Sequence, residues 1–254
     1  MDYNIEPGVG TDLNADSPGE GLLEHQRAYL KWLDGVFSRY PDLVIENCSS
    51  GGMRMDYAML SRYSIQSTSD QEDYVYYSTI ACNAPSAVTS EQAAVWSYPM
   101  RDAKQETVVF NMVNSMLCRI HQSGHLAELA PEALELVKEG IQTYKQIRQD
   151  IRVSLPYWPL GFADSLSPHA ALALQTEGTV YLAVWQRYQG ALDTMEIPLH
   201  DALGGKKVKS VKILYPSDST MQCATPYSWD NKEEVLHIEF KKAVCARLFR
   251  IELE

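Results

Sequence analysis

Two stretches of this chain gather the residue types that do chemistry. Glu46-Asn47-Cys48-Ser49-Ser50-Gly51-Gly52 follows the short apolar run Leu43-Val44-Ile45, and Thr68-Ser69-Asp70 closes the run begun at Ile65. Apolar runs that stop in acidic, polar and glycine residues read as parallel strands buried on both faces, and functional groups collect where such strands end. Glycines let the backbone approach a ligand closely, and N–H groups at a helix start favour electronegative oxygens. Other chemistries fit less well. Cys48-Ser49-Ser50-Gly51-Gly52 is not Gly-x-Ser-x-Gly, and no base partner stands out for a serine or thiol nucleophile. Gly8-Val9-Gly10 is too short for a dinucleotide fingerprint, and no Gly-Lys-Ser/Thr follows it. Taken alone, Asp2 reads as a solvated terminal carboxylate, Asp70 as the cap of the helix after it, and Cys48 as a small buried apolar residue.

The motifs change those readings. Glu46-Asn47-Cys48-Ser49-Ser50-Gly51-Gly52-Met53-Arg54-Met55-Asp56, followed by Thr68-Ser69-Asp70, resembles the paired motifs of glycoside hydrolase family 36, the α-galactosidases. Asp2-Tyr3-Asn4 resembles a third motif of that family, and the likeness weakens from Asp2 to about Tyr144. The resemblance implies the C-terminal half of a TIM (β/α)8 barrel, entered at the end of its fourth strand, as a piece of a longer catalytic domain. It implies Asp2 as nucleophile and Asp70 as acid/base, with Asn4, Cys48, Ser50, Gly51 and Gly52 around the bound galactose. Acetal cleavage needs one carboxylate to attack the anomeric carbon and one carboxylic acid to protonate the departing oxygen. Such chemistry calls for no metal or organic cofactor. The expected partner is an α-galactoside oligosaccharide, cleaved with retention; self-association into a homo-oligomer is left open. The family usually places a tryptophan where this chain has Ser67, so the aromatic wall of the pocket is expected from elsewhere. α-N-Acetylgalactosaminide cleavage, glycosyl transfer, or a non-catalytic carbohydrate-binding or assembly piece are the alternatives.

The elements that must position these groups can be read from periodicity. Leu22, Leu23, Tyr29, Leu30, Leu33, Val36 and Phe37 recur at helical spacing between Glu20 and Tyr40, so a helix should return the chain to the strand at Leu43. His25 on that helix should pack or cap. A second helix should open at Gly51-Gly52 with Met55, Met59 and Leu60 on one face, leaving Arg54 and Asp56 to structural pairing. Gln71-Glu72-Asp73 should open another, its acids set against the N-terminal dipole. Ala93 to Pro99 resembles the family's seventh barrel strand and its exit loop, with Trp96 facing either sugar or core. Val108, Val109, Met112, Val113, Met116, Leu117 and Ile120 form one helical stripe, and Pro131 begins another through Ile147; both are expected as outer-ring helices. His121 and His125 read as ordinary loop histidines.

After Arg152 the period shortens to two. Ala171–Gln175 and Thr179–Arg187 flank a Glu177-Gly178 hairpin turn, and Leu236, Ile238 and Phe240, then Phe249, Ile251 and Leu253, alternate with polar residues. The fold class is therefore α/β plus all-β: a partial barrel over residues 1–152, then a small antiparallel β-sandwich over 153–254, with Leu155-Pro156-Tyr157-Trp158-Pro159 as connector. Composition sets the outer bounds. A formal charge of -11 repels polyanions, which excludes nucleic acid as a natural partner. No apolar run approaches the roughly 20 residues that cross a bilayer, and Met1–Gly10 lacks a signal pattern, so no membrane partner and a cytoplasmic location are expected. The five cysteines, Cys48, Cys82, Cys118, Cys223 and Cys245, are odd in number and far apart, suggesting neither a disulfide framework nor a zinc cluster.

Overall fold

Ser17 starts the first long helix, α1 (Pro18–Arg39): its hydroxyl accepts from the Glu20 N–H at 3.2 Å, and Pro18 occupies the first turn, where its missing N–H costs nothing. The computed structural model describes residues 1–188, 194–222, 225–241 and 244–254, so Cys223 lies outside the described residues. Two compact units divide the chain, Met1–Asp70 and Gln71–Glu254.

In the first unit Leu33 of α1 is buried against Met59 and Tyr63, with Tyr29, Leu30, Phe37 and Ile45 packed around them. Most of the predicted α1 stripe stays half-buried or exposed, because only short elements come after it to cover 22 helical residues. The next strand is a correction to the expectation from sequence. Leu43 and Val44 are exposed coil, and β1 comprises only Glu46–Asn47. Its parallel partner β2 (Ile65–Ser67) sets that limit: Glu46 pairs with Ile65 and Asn47 with Gln66, so residues 43–45 have no β2 residue opposite them. A second correction concerns the helix expected at the glycines. A turn occupies Ser49–Met55, and α2 (Tyr57–Leu60) begins only where the Asp56 carboxylate caps Met59 N–H at 3.1 Å.

The second unit opens with α3 (Tyr74–Asn83), whose cap is Asp73: one carboxylate oxygen accepts from Val75 and Tyr76 N–H at 2.8 and 3.0 Å. The predicted strand is β3 (Ala93–Ser97); after it come α4 (Gln105–Met116) and a strand that periodicity concealed, β4 (Arg119–Gln122), parallel to β3. Ile120 and His121 thus belong to a strand, not to the helical stripe or a loop. Trp96 stacks on Tyr98 at 5.7 Å and meets the edge of the His121 ring at 4.9 Å. Helix α4 is covered on more than one side: Val108–Met116 are all buried. The reason is a second layer. α5 (Pro131–Ile151) covers one side, and a five-stranded antiparallel sheet covers another.

That sheet has order β5-β6-β7-β12-β9, comprising β5 (Leu155–Tyr157), β6 (His169–Gln175), β7 (Thr179–Gln186), β9 (Val208–Tyr215) and β12 (Cys245–Leu253). The connector predicted at Leu155 is therefore an edge strand, where Pro156 is tolerated. A three-stranded sheet, β10-β11-β8, joins β8 (Thr194–Pro198), β10 (Tyr227–Asp230) and β11 (Val235–Glu239); the short α6 (His200–Leu203) follows β8. Between the sheets lie Leu182, Val184, Ile197, Leu236, Ile238, Phe249 and Ile251, the core of the expected sandwich. The other face of the larger sheet sends Leu172, Leu174, Ala183, Trp185 and Leu248 against α4 and α5. Consequently every residue of β7 is buried. The expected division at 152/153 coincides with the end of α5, whereas compactness divides the chain after Asp70. Among the described residues no helix is long and apolar enough to cross a membrane.

Candidate active site

The site expected from sequence lies wholly within the first unit. Met1–Tyr3 runs alongside the end of β1: Cys48 N–H donates to Met1 C=O at 2.9 Å, Tyr3 N–H donates to Cys48 C=O at 3.2 Å, and the terminal amine bonds Glu46 C=O. Asp2 is consequently bridged in parallel to Cys48. β1 lies between this segment and β2, and Asp70 comes three residues after β2. The polypeptide thus delivers the two aspartates from neighbouring parallel segments that all run in one direction. Both are exposed, and neither carboxylate has a hydrogen bond or ion pair among the described residues. The capping role open to Asp70 belongs to Asp73.

The turn between β1 and α2 is held unusually tightly. Ser50 at φ 42° and Gly51 at φ 74° occupy the left-handed region, which costs a serine strain and a glycine nothing. Close approach fixes the identity of Gly51: a β-carbon there would stand 2.8 Å from Ser69 N and 2.9 Å from Ser69 C. At Gly52 it would stand 2.9 Å from the Met55 methyl and 3.1 Å from Thr68 C=O. The glycines therefore press the turn onto the Thr68-Ser69-Asp70 segment, in addition to freeing backbone for a ligand. Cys48 is half-buried.

Asn4 is brought to the same turn. Ser49 and Ser50 hydroxyls each lie 3.3 Å from its Oδ1, and Ser49 donates more closely to Tyr3 C=O, at 2.6 Å. The structure thus gathers Asp2, Asn4, Cys48, Ser50, Gly51 and Gly52 around one turn, with Asp70 at the end of the adjoining strand. Ser49 is absent from the expected set although it sits inside the motif; its buried hydroxyl makes the shorter tie between the first segment and the turn. Arg54 and Asp56 do not pair with each other. Arg54 reaches backbone carbonyls of the first segment, and Asp56 caps α2. His25 bonds the Tyr3 hydroxyl at 2.8 Å instead of capping. Behind the site Tyr63 shares a 2.6 Å hydrogen bond with Tyr29, and burial, reinforced by that bond, pushes its phenol above the usual range.

Comparison with known proteins decides what these motifs belong to. The family model described as Melibiase matches residues 23–154, more than half of the chain. The chain belongs to the melibiase family. The matched residues of this melibiase-family chain include Cys48–Gly52 and Asp70, while Asp2 and Asn4 precede them. The α-galactosidase Mel36A of Lactobacillus acidophilus is 36% identical over 56 residues, 22% of this chain and 8% of that relative. Among solved structures, the glycoside hydrolase family 36 α-galactosidase AgaA of Geobacillus stearothermophilus, in complex with raffinose, aligns with a TM-score of 0.69 at 15% identity. It covers 87% of this chain and 30% of that one. The α-galactosidase of Lactobacillus brevis aligns with a TM-score of 0.65 at 16% identity, over 88% of this chain and 31% of that one. At such identities the solved structures speak for the fold. This melibiase-family chain spans under a third of the length of these solved relatives. The resemblance to glycoside hydrolase family 36 read from the motifs therefore stands.

Proposed function

We propose that this chain carries the carboxyl pair of a retaining α-galactosidase-type glycoside hydrolase. In this reading residues 1–152 contribute to a (β/α)8 barrel and residues 153–254 form its C-terminal β domain. One observation carries it: exposed, unpartnered carboxylates at Asp2 and Asp70 are delivered by parallel segments with only β1 between them. Neighbouring strands lie about 4.8 Å apart, so the backbones of the two segments are roughly 10 Å apart. Aspartate side chains converging from both sides are compatible with the ~5–5.5 Å separation of a retaining pair.

Asp2 attacks the anomeric carbon as the glycosidic C–O bond breaks, and Asp70 gives its proton to the departing oxygen. Water then adds at the same carbon, releasing Asp2, while Asp70 takes the water's proton back. Asn4, Cys48, Ser50, Gly51 and Gly52 surround the galactose, with Asn4 Nδ2 available to donate to a hydroxyl. An oligosaccharide ending in α-linked galactose is the substrate. A panel of nitrophenyl α-glycosides tests the proposal: turnover of the galactoside with initial release of α-galactose supports it, and initial β-galactose refutes retention.

A second reading keeps the machinery and changes the sugar. Ser67, which stands where an aromatic pocket wall is usual, is 1% exposed and so contributes no such wall. Faster cleavage of an α-N-acetylgalactosaminide in the same panel would favour that reading.

A further inference from the structure

We propose that Arg54 is a positioning residue for Asp2, a role that rests on the proposed glycosidase activity. Past Tyr3 the backbone pairing with the end of β1 stops, and the segment that carries the nucleophile would be anchored on one side only. Arg54 supplies the missing anchor. Its Nε donates to Tyr3 C=O at 2.9 Å and its Nη2 to Ile5 C=O at 2.6 Å, so one guanidinium bonds the carbonyls on either side of Asn4. The same group lies over the Tyr3 ring, 4.3 Å from its centroid. With the Ser49 hydroxyl at 2.6 Å, Tyr3 C=O accepts two hydrogen bonds, the full capacity of a carbonyl oxygen.

Arg54 is itself fixed to the strands. Asn47, buried in β1, donates through Nδ2 to Arg54 C=O at 3.1 Å and to Gln66 Oε1 in β2 at 2.6 Å. A continuous series of contacts therefore runs from β2, which leads to Asp70, through Asn47 and Arg54 to the segment bearing Asp2. A planar fork bonding two carbonyls cannot be reproduced by a lysine ammonium, which bonds as a point charge. Displacing a reacting group by about 1 Å costs on the order of 100-fold in rate.

The test compares wild type, Arg54→Ala, Arg54→Lys and Asp2→Asn in the whole chain, using a nitrophenyl α-galactoside. Labelling of Asp2 by 5-fluoro-α-galactosyl fluoride is followed by mass spectrometry. Arg54→Ala is expected to lower kcat and the rate of Asp2 labelling about 100-fold with KM nearly unchanged. Millimolar guanidinium is expected to restore part of the rate to Arg54→Ala and none to Arg54→Lys. Wild-type kcat in both Arg54 variants, or a loss that tracks the unfolded fraction and is not rescued by guanidinium, overturns the proposal alone. Wild-type turnover in Asp2→Asn, or neither turnover nor label in the unaltered chain, overturns the glycosidase reading and this proposal with it.

Discussion

Asp2 and Cys48 are bridged backbone to backbone in parallel, although 46 positions separate them in sequence. The bridge sets the first residues alongside the end of β1, and it points Asp2 along the same direction in which β1 delivers the glycine turn and β2 delivers Asp70. The proposed chemistry depends on that shared direction, which substitution of either aspartate probes.

Asp2→Asn should lower turnover of α-galactosides by about 1,000-fold or more, as removal of a nucleophile does in other covalent mechanisms. Azide should restore part of the rate and yield β-galactosyl azide, because the small anion enters the vacated face. Formation of the α-azide, seen by NMR, would exclude the assignment.

Asp70→Asn should separate substrates by leaving group. Loss of a general acid costs about 100- to 10,000-fold, so an α-galactoside with a poor, alkyl-type leaving group should lose nearly all its turnover. A dinitrophenyl galactoside, whose phenolate needs no proton, should lose much less in the glycosylation step. Equal losses for both substrates in single-turnover kinetics would remove Asp70 from the acid role.

Gly51→Ala should destabilise the first unit by about 1–3 kcal/mol, the usual range for a side chain forced into left-handed backbone, and more if the Ser69 contact cannot relax. Denaturant titration with a probe in Met1–Asp70 measures this. An unchanged midpoint would mean that the turn and the Thr68–Asp70 segment are not pressed together.

Glu106→Gln should destabilise the second unit by about 3–5 kcal/mol. Arg247 grips Glu106 with two 2.8 Å bonds, its side chain only 3% exposed, and Glu106→Gln takes away the carboxylate charge that faces this buried guanidinium. Denaturant unfolding monitored by Trp185 fluorescence reads the loss. Replacing both residues by apolar side chains should recover much of it.

Cys82 and Cys118 should resist iodoacetamide at pH 8 in the folded chain, because burial pushes both thiols up to about 12, leaving almost no thiolate. The same burial links stability to pH. Below the ordinary thiol value near 9 the contribution is fully present, and it disappears as pH rises from about 9 toward 12, where the unfolded chain ionises first. Replacing either cysteine by alanine should flatten that alkaline decline.

Much of this architecture is legible in periodicity. α1, β3, α5 and the Glu177-Gly178 hairpin emerge because apolar spacing and turn chemistry agree at each of them. β4 escapes because Arg119-Ile120-His121-Gln122 offers a single apolar residue and directly succeeds a helix whose spacing Ile120 happens to continue. Leu43-Val44 misleads for the opposite reason: an apolar run suggests a strand, but β2 pairs only with the later residues Glu46 and Asn47. In the candidate site, motif residues are legible as a set, whereas the work of Ser49 and Arg54 is not. Both act on the main-chain oxygen of Tyr3, and a backbone acceptor leaves no mark in residue identity.

The all-buried strand β7 has an implication for engineering. With helices on one side and the sandwich on the other, it behaves like a shared wall between two rooms. Cutting the chain after Ile151 would strip α4 and α5 of the sheet that covers them and leave a greasy, sticky helix pair. Swapping the C-terminal segment between homologues should succeed only when the junction carries its own matching α4 and α5.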